Sequence, residues 1–185
     1  MPPPREHTTE RLLLRAPRED DAEAIFSRYA SDPEVTRLLG WPRHRSVDDT
    51  RVFLAFADRH WQDGTDYPYL IVSRADGVLL GGTGLTPDEP HLAMTGYVLA
   101  RDAWGRGYAT EAARAMVDLA FAMPELWRLY AYSHVSHAAS ERVLAKIGMT
   151  REGTLRRHTV FPNLGTSEPQ DVAMWARVRR DKLRP

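Results

Sequence analysis

The stretch Trp104-Gly105-Arg106-Gly107-Tyr108-Ala109-Thr110-Glu111-Ala112-Ala113 sets two glycines directly ahead of a helical pattern. From about Gly107 to Ala122, the residues Ala109, Ala112, Ala113, Met116, Val117, Ala120 and Phe121 recur at the spacing of one buried helix face, and Pro124 stops the run. Ahead of the glycines lie YPYLIVS (67–73), VLLGGTGLT (78–86) and HLAMTGYVL (91–99), three strand patterns in a row, the first two joined by a turn at Asp76 and Gly77. The glycines therefore stand at a strand-to-helix junction. Glycine lets the backbone approach a ligand closely, and the first helical turn offers NH groups without intrahelical partners at the positive end of the helix dipole. A pyrophosphate suits such a place, with Arg106 adding a positive charge. A second reading, that the glycines serve only to make the turn, stands beside it. A dinucleotide fingerprint is excluded, because Thr110 occupies the place of the third glycine and the preceding strands form a meander.

Working outward, Leu12 to Arg15 is a short strand ended by Pro17. The spacing of Ala22, Ile25, Phe26 and Tyr29 predicts a helix from Glu19 to Ala30. A second helix starts at the N-cap Ser46, with Val52, Phe53, Phe56 and Ala57 on its apolar face, and Arg37 to Arg45 forms the loop between the two. After the glycine-led helix come a fifth strand, RLYAYSHV (128–135), and a helix from Ala138 to Ile147 closed by Gly148. Two further strands follow at about 149–161 and 170–178. The count is seven strands and about four helices in one α/β domain over residues 9–185, behind a flexible Pro-rich segment over 1–8.

A chain of 185 residues has room for one sizeable core. Lys plus Arg equal Asp plus Glu at 25 each, so no bulk field favours nucleic acid or an anionic membrane. The absence of cysteine excludes disulfides, thiolate metal sites and a cysteine nucleophile, and fits a cytoplasmic protein. The seven histidines have no metal-ligand spacing, so no metal is expected. Neither an apolar leader nor a membrane-spanning segment is readable, and exposed strand edges together with Trp175 admit a homodimer.

At Trp104 to Ala109 the sequence resembles the GNAT superfamily of N-acetyltransferases, whose acyl-CoA signature is Q/R-x-x-G-x-G/A. Trp in the first position is similar to the Rim-type branch, which includes ribosomal-protein N-terminal acetyltransferases. TERLLLRAPREDDAEAI (9–25), HAASERVLAKIGM (137–149) and REGTLR (151–156) match the same branch, in the same order along nearly the whole chain. The resemblance implies a mixed, mostly antiparallel sheet splayed between its fourth and fifth strands, with acetyl-CoA as acyl donor. It implies that the pantetheine arm lies in the opening against the backbone of Tyr97, Val98 and Leu99, one of whose NH groups meets the thioester oxygen. The phosphates would then meet Trp104, Gly105, Arg106, Gly107, Tyr108, Ala109 and Thr110.

Two positions depart from the family. His137 stands where an Asn usually contacts the pantetheine, and Leu144 stands where many members carry a Tyr acid. Ser140 matches the serine of the Rim-type branch and shares a helix face with Val143, Leu144 and Ile147, so its hydroxyl is expected to point inward, as catalyst or as helix-end hydrogen bond. The acidic residue some members place in the sixth strand is replaced by Arg156-Arg157-His158-Thr159, which leaves His158 as the candidate base and Glu152 and Asp171 as alternatives. The acceptor expected is a primary amine, a protein N-terminus ahead of a small molecule such as an amino acid or antibiotic; a non-catalytic acyl-CoA-binding module stands as the other alternative, because the Tyr acid and the sixth-strand carboxylate are both absent.

Overall fold

The computed structural model describes residues 2–179. Met1 and residues 180–185, the outermost parts of the flexible segment and of the domain expected from sequence, lie outside the described residues. Eight strands form one sheet: β1 (Glu6–Thr8), β2 (Leu12–Arg15), β3 (Tyr67–Ser73), β4 (Leu79–Glu89), β5 (Leu92–Leu99), β6 (Arg128–His134), β7 (Thr150–Thr159) and β8 (Gln170–Val178). Their spatial order is β1-β2-β3-β4-β5-β6-β8-β7, antiparallel throughout except for β5 beside β6. The α-helices are α1 (Ala22–Ile25), α2 (Pro33–Thr36), α3 (Val47–Asp63), α4 (Tyr108–Ala122) and α5 (Ala138–Lys146). A tight turn over Glu19–Asp21 and a wide one over Phe26–Ala30 extend α1 into the helical stretch expected from Glu19 to Ala30.

The strand beyond the expected seven is β1, inside the segment read as flexible. It has no apolar alternation of its own, but Glu6–Thr8 pair with Leu13–Arg15, and the Pro4 carbonyl accepts the Tyr69 hydroxyl at 2.5 Å. Pairing with a neighbour, rather than local hydrophobicity, orders it. The short helix α2 was also unread, although Asp32 caps it through the Glu34 and Val35 amides and Pro33 opens its first turn.

Helix α3 starts as expected, with Ser46 and Asp49 closing a capping box. Its phase differs. Val52 and Phe56 are 72% and 47% exposed, while Thr50, Leu54, Ala57 and Trp61 are buried. The largest side chain sets the rotation, because Trp61 packs edgewise on Tyr67 and Tyr69 and donates to the Pro68 carbonyl at 2.8 Å.

Two cores sandwich the sheet. On one face Leu12, Leu14, Tyr69, Ile71, Leu129 and Ala131 pack against Ala112, Ala113 and Met116 of α4 and Leu144 of α5. On the other, Leu70, Val72 and Leu79 meet Ile25, Tyr29 and Leu54. Removing a fully buried side chain such as Met116 by an alanine substitution costs about 2 to 5 kcal/mol. Trp175, read as a dimer contact, is only 8% exposed and belongs to the α4 core. The alternation of β8 turns it inward.

The sheet is splayed where expected. Strand β5 pairs with β6 only from Leu92–Met94 to Arg128–Tyr130. Beyond that, β5 follows β4 as far as the Gly81 to Leu99 pairing, and β6 follows β8 as far as His134 opposite Val172. Each strand stays with its other neighbour, so a gap opens between them. Close contact on the β4 side depends on Gly81, where an added Cβ would stand 2.0 Å from the Val98 carbonyl oxygen.

Candidate active site

The glycine turn closes the top of this gap. After β5 the chain makes one tight turn over Arg101–Ala103 and reaches Trp104, whose indole NH donates to the Leu99 carbonyl at 2.8 Å. Gly105 and Gly107 take left-handed φ values of 73° and 82°, a region costly for other L-residues. Gly107 is the N-cap of α4 and offers no side-chain cap, so the amides of Tyr108, Ala109 and Thr110 face outward without intrahelical partners. These donors, the dipole of a 15-residue helix and Arg106 can hold an anion. The Leu99 carbonyl is engaged by Trp104 and the Val98 carbonyl faces β4 beside Gly81, so of the β5 residues singled out from sequence, Tyr97 and the Leu99 amide present backbone to the gap.

A network that the sequence reading missed braces this turn. The Glu111 carboxylate in the first turn of α4 accepts from the Thr9 hydroxyl at 2.6 Å, the Arg11 amide at 2.8 Å and Arg11 Nε at 2.7 Å. Arg11 also donates to the Arg106 carbonyl at 3.0 Å and lies over the Tyr108 ring at 4.7 Å. Partial burial works to raise the Glu111 carboxyl, but these donors hold it below the usual carboxylate range.

Lower in the gap, on the face covered by α4 and α5, the Tyr97 hydroxyl lies 2.9 Å from Ser140 Oγ and donates to the Ser140 carbonyl at 3.1 Å. Ser140 therefore points inward, as its helix face implied. Burial pushes the Tyr97 hydroxyl up to about 12, and the bond to Ser140 partly offsets this. At pH 7 Tyr97 is a protonated donor. His137 occupies the N-cap position of α5 and makes no side-chain cap. Burial, then His134 and Arg142, lower its pKa, so its ring is neutral near pH 7. Ser133 of β6 is buried on the same face, and its hydroxyl has no partner among the described residues. An orphaned polar group on the strand bordering the gap suits a polar ligand threaded there, such as an amide-bearing pantetheine arm.

The opposite face of the gap carries different groups. Tyr132 and His134 alternate with the core residues Ala131 and Ser133 and so project there. His158 is exposed, with its ring edgewise to Tyr132 at a centroid distance of 5.7 Å. Of the two catalytic candidates, Ser140 lies on the α4–α5 face and His158 on the other, so the sheet separates them. His158 comes from an irregular stretch in which Leu155 pairs with Val172 while Thr159 pairs with Gln170, two more residues on β7 than on β8. Within it, Arg157 has φ 51°, the left-handed region, and its amide donates to Asp171 at 2.9 Å. Glu152 is paired with Arg128. Both carboxylates offered as alternative bases are thus engaged in structural contacts.

The loop that carries Arg37, Arg43 and Arg45 also approaches this side at Gly40, and neither these arginines nor Arg156 of β7 forms an ion pair among the described residues. A concavity of about 670 Å³ elsewhere, lined by Arg114, Lys146 and Arg177, lies at the far end of α5, where Arg114 and Arg177 close the carbonyls of Lys146 and Ile147. It is remote from the gap. Among the described residues no helix is long and apolar enough to cross a membrane.

Residues 11–150 match the acetyltransferase (GNAT) domain family. The uncharacterized N-acetyltransferase YoaA of Bacillus subtilis (strain 168) is 30% identical over 173 residues, which are 92% of this chain and 95% of that protein. A GNAT-family acetyltransferase from Bacillus anthracis superposes with a TM-score of 0.80 at 26% identity, covering 94% of this chain and 98% of that one. RimL, a ribosomal L7/L12 alpha-N-protein acetyltransferase solved with coenzyme A, has a TM-score of 0.82 at 23% identity over 93% and 96% of the two chains, a likeness of fold. A sheet opened between β5 and β6, a two-glycine turn that can seat an anion and the family match over 140 residues converge, and the chain belongs to the GNAT family of acetyl-CoA-dependent N-acetyltransferases.

Proposed function

We propose that this acetyltransferase acts on a protein N-terminal α-amine, entering from the Tyr132 face, while acetyl-CoA lies along the gap with its phosphates on the glycine turn. In this reading a backbone NH on the gap side of the Tyr97–Leu99 stretch stabilises the oxyanion, and the Tyr97–Ser140 hydroxyl pair donates to the departing sulfur. The amine nitrogen bonds to the thioester carbon, the carbon–sulfur bond breaks, and the proton shed by nitrogen passes to His158 or water while the thiolate leaves hydrogen-bonded to Ser140. Tyr97, held protonated, stiffens Ser140 and keeps its hydrogen available.

The observation that carries the acceptor class is the engagement of Glu152 by Arg128 and of Asp171 by Arg157. A wall without a free carboxylate base suits an amine that is already partly neutral. An α-amine with a pKa near ~8 is uncharged in roughly a tenth of molecules at pH 7, against about one in a few thousand for a lysine near ~10.4. The unpaired arginines on this side disfavour polycations, and the α-N-protein activity of RimL, a protein of the same fold, points the same way.

The test is release of free thiol from acetyl-CoA across a panel of N-terminal peptides, amino acids, lysine derivatives and spermidine. Peptides with an acidic residue near the α-amine should be turned over fastest. Efficient spermidine acetylation with idle peptides would overturn the proposal.

A further inference from the structure

The loop between α2 and α3 has an unusual dependence on one distant side chain. Its ends are held locally: the Leu39 amide donates to the Thr36 carbonyl at 3.0 Å, and the His44 amide donates to the Ala30 carbonyl at 3.0 Å. The His44 ring adds a 2.8 Å bond to the Thr50 hydroxyl, which is fully buried. Between these anchors, the hydrogen bonds to residues 40–43 among the described residues come from Asn163, more than 120 positions away by the separation from Trp41. Asn163 Oδ1 accepts the Arg43 amide at 2.8 Å, while Nδ2 donates to the carbonyls of Thr36 at 2.8 Å and Trp41 at 2.9 Å. One primary amide thus uses its acceptor and both donors on the backbone of a single loop.

The base of this contact is rigid. Asn163 sits in the turn Pro162–Leu164, between Phe161, which is 2% exposed and edgewise to the His134 ring at 5.2 Å, and Gly165 in the left-handed region at φ 71°. What it fixes lies over the gap, since an added Cβ on Gly40 would be 3.7 Å from the Tyr132 hydroxyl. Tyr132 in turn meets His158. The contact therefore ties together the loop carrying Arg37 and Arg43 and the β7–β8 region carrying His158, the two segments that flank the same face.

We propose that Asn163 is a positioning residue for the acceptor: a latch that holds the 37–43 loop against the β7–β8 turn and so fixes the width and charge placement of the acceptor entrance. This rests on the Tyr132 face being the acceptor side. Loop and turn would otherwise be independent surface segments, and ordering them on each encounter would weaken acceptor binding by the entropy of loop closure. Acetyl-CoA, seated on the glycine turn, would not feel the change.

The experiment compares wild type with Asn163→Ala and Asn163→Asp, the latter keeping the acceptor for Arg43 but not the donors to Thr36 and Trp41. Amide hydrogen exchange at Arg43 and the rate of tryptic cleavage within 37–45 read the latch without reference to catalysis. Steady-state kinetics, using whichever amine of the panel the wild type acetylates fastest, read its effect on the acceptor. Asn163→Ala should expose the Arg43 amide, speed loop cleavage and raise the acceptor KM by roughly tenfold, the equivalent of a net hydrogen bond or two. The acetyl-CoA Kd and kcat at saturating amine should stay within about twofold, and Asn163→Asp should retain Arg43 protection while sharing part of the KM rise. Unchanged exchange at Arg43 would show that no latch exists. Faster exchange with an unaltered acceptor KM would show that the latch does not serve the acceptor. Turnover of small amines but no peptide would overturn the α-amine reading alone, leaving the Asn163 comparison to be decided on those amines.

Discussion

On one side of the β5–β6 gap the Glu111 carboxylate gathers the Thr9 hydroxyl and two donors of Arg11, whereas on the other the Asn163 amide gathers two carbonyls and an NH. The first clamp is a charge-assisted network in which two of the three donors, the Thr9 hydroxyl and Arg11 Nε, are side chains, and such partners have to be present together in the sequence. The second is addressed to backbone groups, which every residue carries. The glycine-turn wall is therefore stiff and tied to particular residue types, while the loop wall keeps its position with almost any residue at 37–43. A shared coenzyme and a variable acceptor call for that division.

The largest effect should come from breaking the glycine-turn wall. Gly107→Val places a β-branched side chain at φ 82° and brings its Cβ to 3.4 Å from Arg11 Nη2. Acetyl-CoA affinity should fall by roughly a hundredfold or more, since turn strain and lost amide alignment act together. The rise in melting temperature with millimolar acetyl-CoA should vanish with it. A folded variant that still shows the full rise would remove the phosphate from this turn.

An intermediate effect is expected from the hydroxyl pair that stands between the walls. Ser140→Ala should lower the single-turnover acetylation rate by roughly ten- to a hundredfold, with acetyl-CoA affinity nearly unchanged, because the bond to sulfur strengthens only as negative charge develops there. Tyr97→Phe should produce a smaller loss of the same kind. In the double variant the two losses should be less than additive, as for groups acting in one hydrogen-bond chain. Full additivity would separate Tyr97 from Ser140 functionally, and a loss of affinity equal to the loss of rate would make Ser140 a coenzyme contact.

The smallest effect is a difference in acid sensitivity between the walls. Burial, partly offset by Asp49, lowers the pKa of His44, which holds one end of the loop. The unfolded chain therefore takes up this proton first. The His44 contribution is fully present above the ordinary histidine value near ~6.5 and declines as pH falls through it toward the lower folded value. Glu111 is held below the carboxylate range, so its clamp loosens only in more acidic solution. As pH falls below about 6.5, tryptic cleavage at 37–45 should rise modestly while acetyl-CoA affinity stays constant, and His44→Asn should flatten the profile. A parallel loss of coenzyme affinity in that window would contradict the separation.

The same distinction explains what could be read beforehand. The glycine turn, the α4 face and the inward direction of Ser140 follow from spacing, because each depends on residues close together in the chain. The partnership of Thr9 and Arg11 with Glu111 was within reach. Both segments, TERLLLR and GYATEAA, were singled out, and only their meeting was missing. Asn163 was not legible, since its partners are peptide groups more than 100 positions away and an Asn beside Pro and Gly reads as an ordinary turn residue. The phase of α3 was misread because Val52 and Phe56 outweigh Thr50 in hydrophobicity, whereas Trp61 at the helix end decides the rotation. His158 could be noticed but not placed, because the extra residues near Arg157 reset the alternation of β7.

The strand order also carries a timetable. Strands β1 to β5 neighbour one another in the order in which a ribosome delivers them, so each can pair as soon as the next emerges. β6 cannot. Its long ladder is with β8, which inserts between β6 and β7, so Leu129 and Ala131 wait for Arg177 and Trp175 to be synthesised before their sheet environment is complete. During that interval the nascent chain holds a nearly finished half-sheet beside a single uncapped strand, and the edge left bare is the one on the far side of β6 from the catalytic gap.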